Sequence, residues 1–409
     1  MEFKKKELAN GLCVIGEVNK SAKSAAVGFF VKTGARDETL QINGVSHFLE
    51  HMLFKGTDKL SAFEVNEAFD RTGAEFNAAT GEEYTIFYAK VLPEYLVEIT
   101  KLWIELMRPA LRDEDFDIEK NVIKEEIAMY QDLPSFDVMD RCRNLHFDGH
   151  PCGNSVLGSE DSITNLTSLQ MCDYFMRRYA PNNMVLACAG NFEWGQICSI
   201  AEKFCSKWER QEAGRELEDC AGSKKKERIE KANLAREHIC LMSPGVSARD
   251  PRRFAAALLG VVVGDDVGSR YFWELVDKAL AEAAAMQFGA MDGTGVFHSY
   301  IRCSSENVTK VLDTIKGIFR SLSLDGISEQ ELQKAKNKTL SALVLKNELP
   351  MGRLLDLGFN WMYLEQYRAI EEDINSIKAV TVEDVHSLIE QFDLGEFTQL
   401  SIGPVQNSS

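Results

Sequence analysis

The spacing of apolar residues along the chain alternates between two patterns. One repeats every second residue, as in a half-buried strand, and the other repeats every three to four residues, as on one face of a helix. In the first half, strands are predicted at residues 3–8, 12–18, 25–32, 75–77, 83–91 and 184–189. Helices are predicted at residues 44–55, 61–71, 93–107, 113–132 and 163–179. The first two strands flank Asn10-Gly11, a pair typical of a tight β-hairpin turn.

The predicted helix at residues 44–55 has start and stop signals as well as an apolar stripe. Asn43 or Ser46 is expected to cap its beginning, and Gly56 stands where a left-handed residue is expected to end it. The stripe consists of Phe48, Leu49, Met52 and Leu53. Caps and stripe together favour a helix over any other structure here.

This helix carries the first candidate for chemistry, the pattern His-x-x-Glu-His formed by His47, Glu50 and His51. The histidines lie four residues apart, so their side chains share one helix face, and Glu50 joins them. Two imidazoles one turn apart can bind one Zn²⁺, and a neighbouring carboxylate can accept a proton from a metal-bound water. The alternative is a surface or core histidine pair, which is the commoner reason for this spacing.

A catalytic zinc ion needs a third protein ligand, and the acidic helix predicted at residues 113–132 offers carboxylates. Glu119 and Glu126 are seven residues apart and share a face, whereas Glu125 points about 100° away. A ligand at Glu126 with a helper at Glu119 is consistent with this geometry. The alternative is that all three are solvated helix carboxylates.

Composition limits the class of protein. A chain of 409 residues is expected to form two to three domains. Its net charge of −17 argues against nucleic acid as a partner. The ten cysteines include no Cys-x-x-Cys pair, which argues against a zinc ribbon and favours a reducing compartment. No signal peptide or membrane-spanning apolar run is found, so a cytoplasmic protein without a membrane span is expected.

The second half of the sequence resembles the first. Residues 238–250 match residues 25–37 at an offset of 213, and residues 376–381 match residues 162–167 at an offset of 214. Between the halves, residues 211–231 are rich in charged residues, Gly and Ser, and are interpreted as an exposed linker.

An internal duplication is therefore predicted, with homologous domains at residues 1–210 and 232–409. Each is expected to be an α+β domain, with a mostly antiparallel sheet covered by helices on one face. Opposite the His-x-x-Glu-His residues, the second copy has residues between Gly260 and Asp265 that offer no equivalent ligand set. Metal chemistry is therefore expected in the first domain alone.

The combined pattern resembles a known family. His-x-x-Glu-His is the inverzincin signature, and the chain is similar to the pitrilysin (M16) metallopeptidases. In that family the third ligand is a Glu within a Val-Ile-x-x-Glu stretch, 74–76 residues beyond the second His. Here 74 residues separate His51 from Glu126, which follows Val122-Ile123. Further matches lie at residues 73–80 and 179–184, so the resemblance covers essentially the whole chain.

The resemblance implies the M16 (LuxS-like) fold and one Zn²⁺ per chain, bound by His47, His51 and Glu126. It implies that Glu50 is the general base and that Glu119 orients a ligand or the substrate. The implied activity is that of a zinc endopeptidase that cleaves peptides or unfolded segments inside a closed chamber.

In family members the substrate adds as a strand to a sheet edge beside the metal. Here that edge corresponds to residues 76–80, with Asn77 and Ala78 nearest to the peptide. Main-chain pairing of this kind reads shape more than side chains, and so implies broad specificity.

One departure concerns the second half, where family members often carry an Arg and a Tyr seven residues apart that help to bind substrate. Leu275 and Glu282 stand at those positions here. A heterodimer is therefore expected, in which a homologous partner supplies the Arg/Tyr pair. The alternatives are a homodimer that uses other donors, such as Arg270 or Tyr271, and a non-catalytic scaffold or binding subunit.

Overall fold

The structure is a computed structural model that describes residues 1–217 and 220–405. It contains two compact units. The first comprises residues 1–127, 154–216 and 344–368, and the second comprises 128–153 and the described residues within 217–343 and 369–409. Among the described residues, no helix has both the length and the apolar character needed to cross a bilayer.

The first half contains six strands, β1 (Glu2–Glu7), β2 (Cys13–Val18), β3 (Ala25–Val31), β4 (Glu75–Thr80), β5 (Thr85–Val91) and β6 (Met184–Gly190). Its helices are α1 (Val45–Leu53), α2 (Ala62–Arg71), α3 (Leu96–Leu106), α4 (Asp113–Gln131), α5 (Pro134–Phe147), α6 (Glu160–Asn165), α7 (Ser168–Arg178) and α8 (Trp194–Cys205). The predicted hairpin is present, since β1 and β2 pair antiparallel.

The described part of the second half contains β7 (Lys226–Glu230), β8 (Glu237–Gly245), β9 (Ala283–Ala290), β10 (Gly295–Cys303) and β11 (Thr398–Gly403). Its helices are α9 (Arg253–Gly264), a π-helical turn (Phe272–Val276), α10 (Val308–Asp325), α11 (Glu329–Asn347), α12 (Pro350–Leu364), α13 (Ile370–Ala379) and α14 (Val382–Gln391).

Each unit is built on one sheet. The strand order is β1-β2-β6-β3-β5-β4 in the first and β7-β11-β8-β10-β9 in the second. Neighbouring strands are antiparallel, except that β2 is parallel to β6 and β7 is parallel to β11. The predicted α+β class with mostly antiparallel sheets is confirmed.

The sequence predicted helices on one face of each sheet. In the first unit, helices cover both faces of the sheet. Successive strand residues point to opposite faces. Phe30 of β3 contacts Phe359 of α12, whereas its neighbour Phe29 contacts Trp208. The second covering helix was missed because it comes from the other half of the chain.

The two halves exchange a helix. The helix α12 follows the second half in sequence but packs on β3 and β6 of the first unit, and α5 packs on β8 and β11 of the second unit. The units therefore differ from the contiguous domains predicted at residues 1–210 and 232–409. Periodicity along the chain indicates which face of a helix is apolar, but not which sheet that face will cover.

The segment predicted as an exposed linker, residues 211–231, is also partly structured. Residues 226–230 form β7, and the Arg215 guanidinium is buried against the carboxylates of Asp37 and Glu83. Residues 218 and 219 of that segment lie outside the described residues. A polar composition was misleading here because the charged side chains are paired within the fold.

The structure supports the duplication through matching local features. Thr167 and Thr381 each form a capping box at the start of a helix, α7 and α14 respectively. Lys120 donates to the main-chain oxygen of Thr164, and Lys336 donates to that of Lys378. The first capping box also explains why the helix predicted at residues 163–179 is two helices, since the chain turns between α6 and α7 to let Thr167 cap the second.

Each exchanged helix carries a buried charge near its start. In the first unit Arg353 of α12 forms two hydrogen bonds with Glu17 of β2, at 2.8 and 2.6 Å, and both side chains are almost fully buried. In the second unit Asp137 of α5 is paired with Lys231 at 2.8 Å, and with Arg141 at 2.6 Å. In the first pair the exchanged helix carries the positive charge, and in the second pair it carries the negative charge.

Arg353→Met tests how strongly the exchanged helix is held. We expect the free energy of unfolding to fall by about 3–5 kcal/mol, because Glu17 would remain buried without its paired positive charge, although the Tyr367 hydroxyl still donates a hydrogen bond to it. Urea denaturation followed by circular dichroism measures this. Arg71→Met is the matched control, since Arg71 pairs with Glu98 at the exposed surface and its loss should leave the urea midpoint near that of the wild type. Equal, small shifts for both variants would contradict the expectation.

Candidate metal centre

The helix α1 begins at a glycine, and a distant carboxylate satisfies its first amides. Gly44 precedes the helix with a φ of 94°, and no side-chain cap comes from it. Instead, the carboxylate of Glu38 accepts hydrogen bonds from the main-chain N–H groups of Gly44 and Ser46, both at 2.7 Å. The prediction that Asn43 or Ser46 caps the helix was therefore wrong. Asn43 acts indirectly, through its own hydrogen bond to Glu38 at 2.8 Å.

Glu38 is buried, with 5% of its surface exposed. Burial raises the pKa of this carboxyl to about 7, although its hydrogen bonds with Ser46, Gly44 and Asn43 act in the opposite direction. At the other end, the helix finishes at Leu53 and is followed by Phe54 in a right-handed conformation. Gly56 has the predicted left-handed φ, 105°, but it lies three residues beyond the last helical residue and so does not end the helix itself.

The helices α1 and α4 meet through an aromatic stack. Phe48 of α1 lies parallel to Phe116 of α4, with ring centroids 4.8 Å apart. On α4, Phe116, Glu119, Ile123 and Ile127 are the buried residues. Glu126 lies on this same face with 22% of its side chain exposed, and Glu125 is exposed. The structure therefore places the carboxylates of α4 as the helical spacing predicted.

His47, His51 and Glu126 come together in one cluster. Glu126 Oε2 lies 3.8 Å from His47 Nε2 and 3.5 Å from His51 Nε2, and one potential ligand atom from each residue lies within 4.8 Å of the others. Ligand atoms about 2.0–2.2 Å from a tetrahedral zinc ion lie about 3.3–3.6 Å from one another. The three side chains therefore fit a single zinc ion with only small adjustments.

The protonation of His47 also suits a ligand. Burial, with the nearby charge of His51, lowers the pKa of His47 to about 3, so the imidazole is neutral at neutral pH and can donate a lone pair. Among the described residues, its buried Nδ1 has no hydrogen-bond partner. The orientation of His47 therefore depends on packing within the helix rather than on a second hydrogen bond.

His51 is oriented by a carboxylate. Its Nδ1 lies 2.8 Å from Oε1 of Glu119, which is 4% exposed, and Lys55 pairs with the other oxygen of Glu119. Burial lowers the pKa of His51, but the hydrogen bond to Glu119 and the charges of Glu126 and Glu119 outweigh it and raise the pKa. A carboxylate on the far nitrogen fixes a ligating histidine's tautomer, so Glu119 occupies the position expected of a helper.

Glu50 lies beside the cluster and is held by the sheet. Its Oε2 accepts a hydrogen bond from the Thr80 hydroxyl at 2.6 Å. Burial raises the pKa of Glu50 above its usual value, although the Thr80 hydrogen bond opposes this shift. A carboxylate with a raised pKa is better suited to taking up a proton near neutral pH than a fully solvated one.

Asn77 and Ala78 lie in β4, which is an edge strand of the first sheet and contacts α1. The side chain of Asn77 accepts a hydrogen bond from the main-chain N–H of Ala78 at 2.9 Å. Thr80, which holds Glu50, is the last residue of the same strand. The edge predicted to receive substrate and the candidate base are therefore connected through one strand.

In the second unit, the side chains at the positions of the family's Arg/Tyr pair are engaged elsewhere. Leu275 is fully buried in the core, and Glu282 pairs with Arg236 and Arg302. The alternative donors are also committed: Arg270 bonds to Glu331 at 2.8 Å, and Tyr271 is buried with its hydroxyl 3.0 Å from that of Ser299. These contacts count against Arg270 or Tyr271 as substitute donors.

Sequence reasoning missed three residues of the site. Lys55 lies one helical turn beyond His51, a spacing that could have suggested a contact near the motif. Thr80 lies on a strand that was predicted three residues too short, and Glu38 precedes the helix by a distance that gives no local signal. All three act on the motif through contacts that only the tertiary structure creates.

Two family models match the chain. Residues 13–160 match the model of the insulinase family, peptidase family M16, and residues 165–339 match that of the peptidase M16 inactive domain. The uncharacterized zinc protease YmxG of Bacillus subtilis is 31% identical over 400 residues, which cover 97% of each chain. The chain belongs to peptidase family M16. The family resemblance inferred from the motif is thus confirmed.

Other relatives agree. An uncharacterized zinc protease of Mycobacterium tuberculosis is 31% identical over 405 residues, covering 97% of this chain and 92% of that protein. A protease from Helicobacter pylori superimposes with a TM-score of 0.90 at 21% identity, over 98% of this chain and 100% of that one. A chain of Complex III₂ from Candida albicans gives a TM-score of 0.84 at 19% identity, over 98% of this chain and 95% of that one. At these identities the two structures show that this chain has the same fold.

Replacing the candidate third ligand tests the cluster. In Glu126→Gln we expect zinc affinity to fall by more than about 100-fold, since loss of a direct ligand should exceed the 10–100-fold effect typical of an outer residue. Competition with a chromophoric chelator measures it. Glu125→Gln makes the same change on the exposed side of the same helix and should bind zinc like the wild type. Equal affinities in the two variants would remove Glu126 from the ligand set.

Proposed function

We propose that this M16 protein is a zinc-dependent endopeptidase with one Zn²⁺ per chain. The observation that carries the proposal is the convergence of His47, His51 and Glu126 on one point, with Glu50 beside them. Two imidazoles and one carboxylate are a ligand set typical of catalytic zinc. The names of the curated relatives, zinc proteases, agree with this chemistry.

In the proposed reaction, a bound zinc ion would polarise the scissile carbonyl and make the attacking water more acidic. Glu50 accepts the proton of that water and passes it to the leaving amine. Thr80 and Glu119 contribute by holding Glu50 and His51 in place, because a carboxylate or imidazole that is already oriented loses less entropy in the transition state. The cleaved bond is the peptide amide, so the products are a new carboxylate and a new amine.

The proposed substrates are peptides or unfolded segments that lie along β4, with Asn77 and Ala78 beside the scissile bond. The edge position of β4 supports this, because an edge strand offers main-chain groups to an added strand. Pairing of this kind requires an extended substrate, which agrees with cleavage inside a closed chamber that excludes folded proteins.

We further propose that the chain is the metal-bearing subunit of a heterodimer, whose homologous partner supplies the Arg/Tyr pair. Leu275 and Glu282 support this, since neither can donate a hydrogen bond to an oxyanion at neutral pH. The cytoplasm is the proposed location, because ten scattered cysteines without a Cys-x-x-Cys pair, most of them buried, are typical of proteins in a reducing compartment. A homodimer and a non-catalytic subunit remain the competing proposals.

Glu50→Gln tests the general base. The variant should retain zinc, because Glu50 is not among the three clustered ligands, and its kcat should fall by about 10²–10⁴-fold, because the amide cannot accept the proton. Fluorogenic peptide hydrolysis and metal analysis measure the two quantities. Retention of most activity in the zinc-loaded variant would show that another group is the base.

Mixing experiments test the partner. Zinc-loaded protein should hydrolyse fluorogenic peptides only when combined with a homologous M16 chain that carries the Arg/Tyr pair and lacks the His-x-x-Glu-His pattern. Full activity of this chain alone would instead favour the homodimer. Protein that holds no zinc after purification, and that is inactive in every mixture even when zinc is added, would favour the scaffold.

A further inference from the structure

The carboxylate of Glu50 is attached to the sheet through Thr80. Thr80 donates its hydroxyl hydrogen to Glu50 Oε2 at 2.6 Å, a short distance for a hydroxyl–carboxylate hydrogen bond. Glu50 is only half-buried and lies on α1, whereas Thr80 lies on β4. A glutamate has three rotatable side-chain bonds, so the short hydrogen bond to the Thr80 hydroxyl has a large influence on the direction of its carboxylate. The main-chain N–H of Thr80 also interacts with this carboxylate, and a substitution of the side chain leaves that group in place.

Thr80 is placed where a substrate strand would act on it. It is the last residue of β4, whose inner edge pairs with β5 from Glu75↔Lys90 to Thr80↔Thr85. The outer edge of β4 is the edge of the whole sheet. A peptide that adds to this edge pairs with the main chain of the same six residues that end in Thr80.

The other contacts of β4 make it a firm support for that hydrogen bond. Phe76 stacks on Phe69 of α2 with ring centroids 3.9 Å apart, and it also contacts Phe54 at the end of α1. Gly81, directly after the strand, donates its N–H to the main-chain oxygen of Tyr84 at 2.8 Å. The position of Thr80 relative to α1 is therefore fixed by packing at one end of β4 and by a turn at the other.

We propose that Thr80 is a positioning residue that orients the Glu50 carboxylate from the end of β4, the strand along which an extended peptide is proposed to lie. Oε2 of Glu50 keeps its hydrogen bond from the Thr80 hydroxyl. Oε1 accepts the proton from the attacking water and passes it to the leaving amine. The expected effect on kcat rests on the proposed peptidase function. The expected effect on the position of the Glu50 carboxylate does not.

The kinetic test compares three variants of the zinc-loaded protein, assayed with its partner subunit where the wild type requires one. Thr80→Val removes the hydroxyl at constant size, and kcat should fall by about 10- to 100-fold with little change in KM. Thr80→Ser restores the donor and should recover most of the wild-type kcat. Thr100→Val is the control, since the buried Thr100 hydroxyl donates to the Leu96 main-chain oxygen within α3, away from Glu50, and the activity of this variant should be unchanged.

The structural test does not depend on activity. In a crystal structure of zinc-loaded Thr80→Val, the Glu50 carboxylate should leave its wild-type position, while His47, His51 and Glu126 keep theirs. An unmoved Glu50, or a serine variant as slow as the valine variant, would overturn the positioning role. Inactivity of the wild type in every mixture would instead count against the peptidase proposal, and the crystal structures would still decide the role of Thr80.

Discussion

The hydrogen bonds from Gly44 and Ser46 to the buried carboxylate of Glu38 determine where the motif helix begins, and the metal cluster depends on that position. The first amides of a helix have no partner within the helix, and Gly44 has no side chain to supply one. An anion at a helix N-terminus also interacts favourably with the helix dipole. Because His47 directly follows the capped amides, a change in this cap would rotate both imidazoles relative to α4. Ser46 adds a second attachment, since its hydroxyl bonds to that of Tyr174 at 2.8 Å.

Much of the site could be predicted from the sequence, because its ligands follow local rules. His47 and His51 share a face since they lie one turn apart, and Glu119 and Glu126 share a face since they lie two turns apart. The stack of Phe48 on Phe116 then brings those two faces together. The supporting contacts could not be predicted. No periodicity along the chain predicts the contacts that Glu38, Lys55 and Thr80 make with the site. The sequence of a helix also does not show whether its cap is a neighbouring residue or a distant one.

The exchange of α5 and α12 could not be predicted from the sequence either, although the sequence contains the residues that direct it. Both helices begin with a proline and are followed directly by a residue with positive φ, Asp148 or Glu365. Apolar faces alone would let either helix cover either sheet. The buried charges distinguish them: Arg353 meets Glu17, and Asp137 meets Lys231. With the helices interchanged, two acidic groups would meet at one sheet and two basic groups at the other. Burial makes such like-charge contacts far less favourable than at a surface, so the polarity of the pairs favours the observed arrangement.

The duplication explains why the chain has one metal centre rather than two. The helix α9 follows β8 in the second unit as α1 follows β3 in the first, and at Gly264 it packs directly against the backbone of its sheet. A Cβ atom at Gly264 would lie 2.1 Å from the main-chain nitrogen of Met286 in β9, so even an alanine there would collide with the backbone. Gly264 stands opposite Glu50 or His51 in the repeat. The space that the first unit gives to a ligand or a base is therefore filled by backbone in the second, and a substitution at Gly264 could not restore the chemistry without moving β9 away from α9.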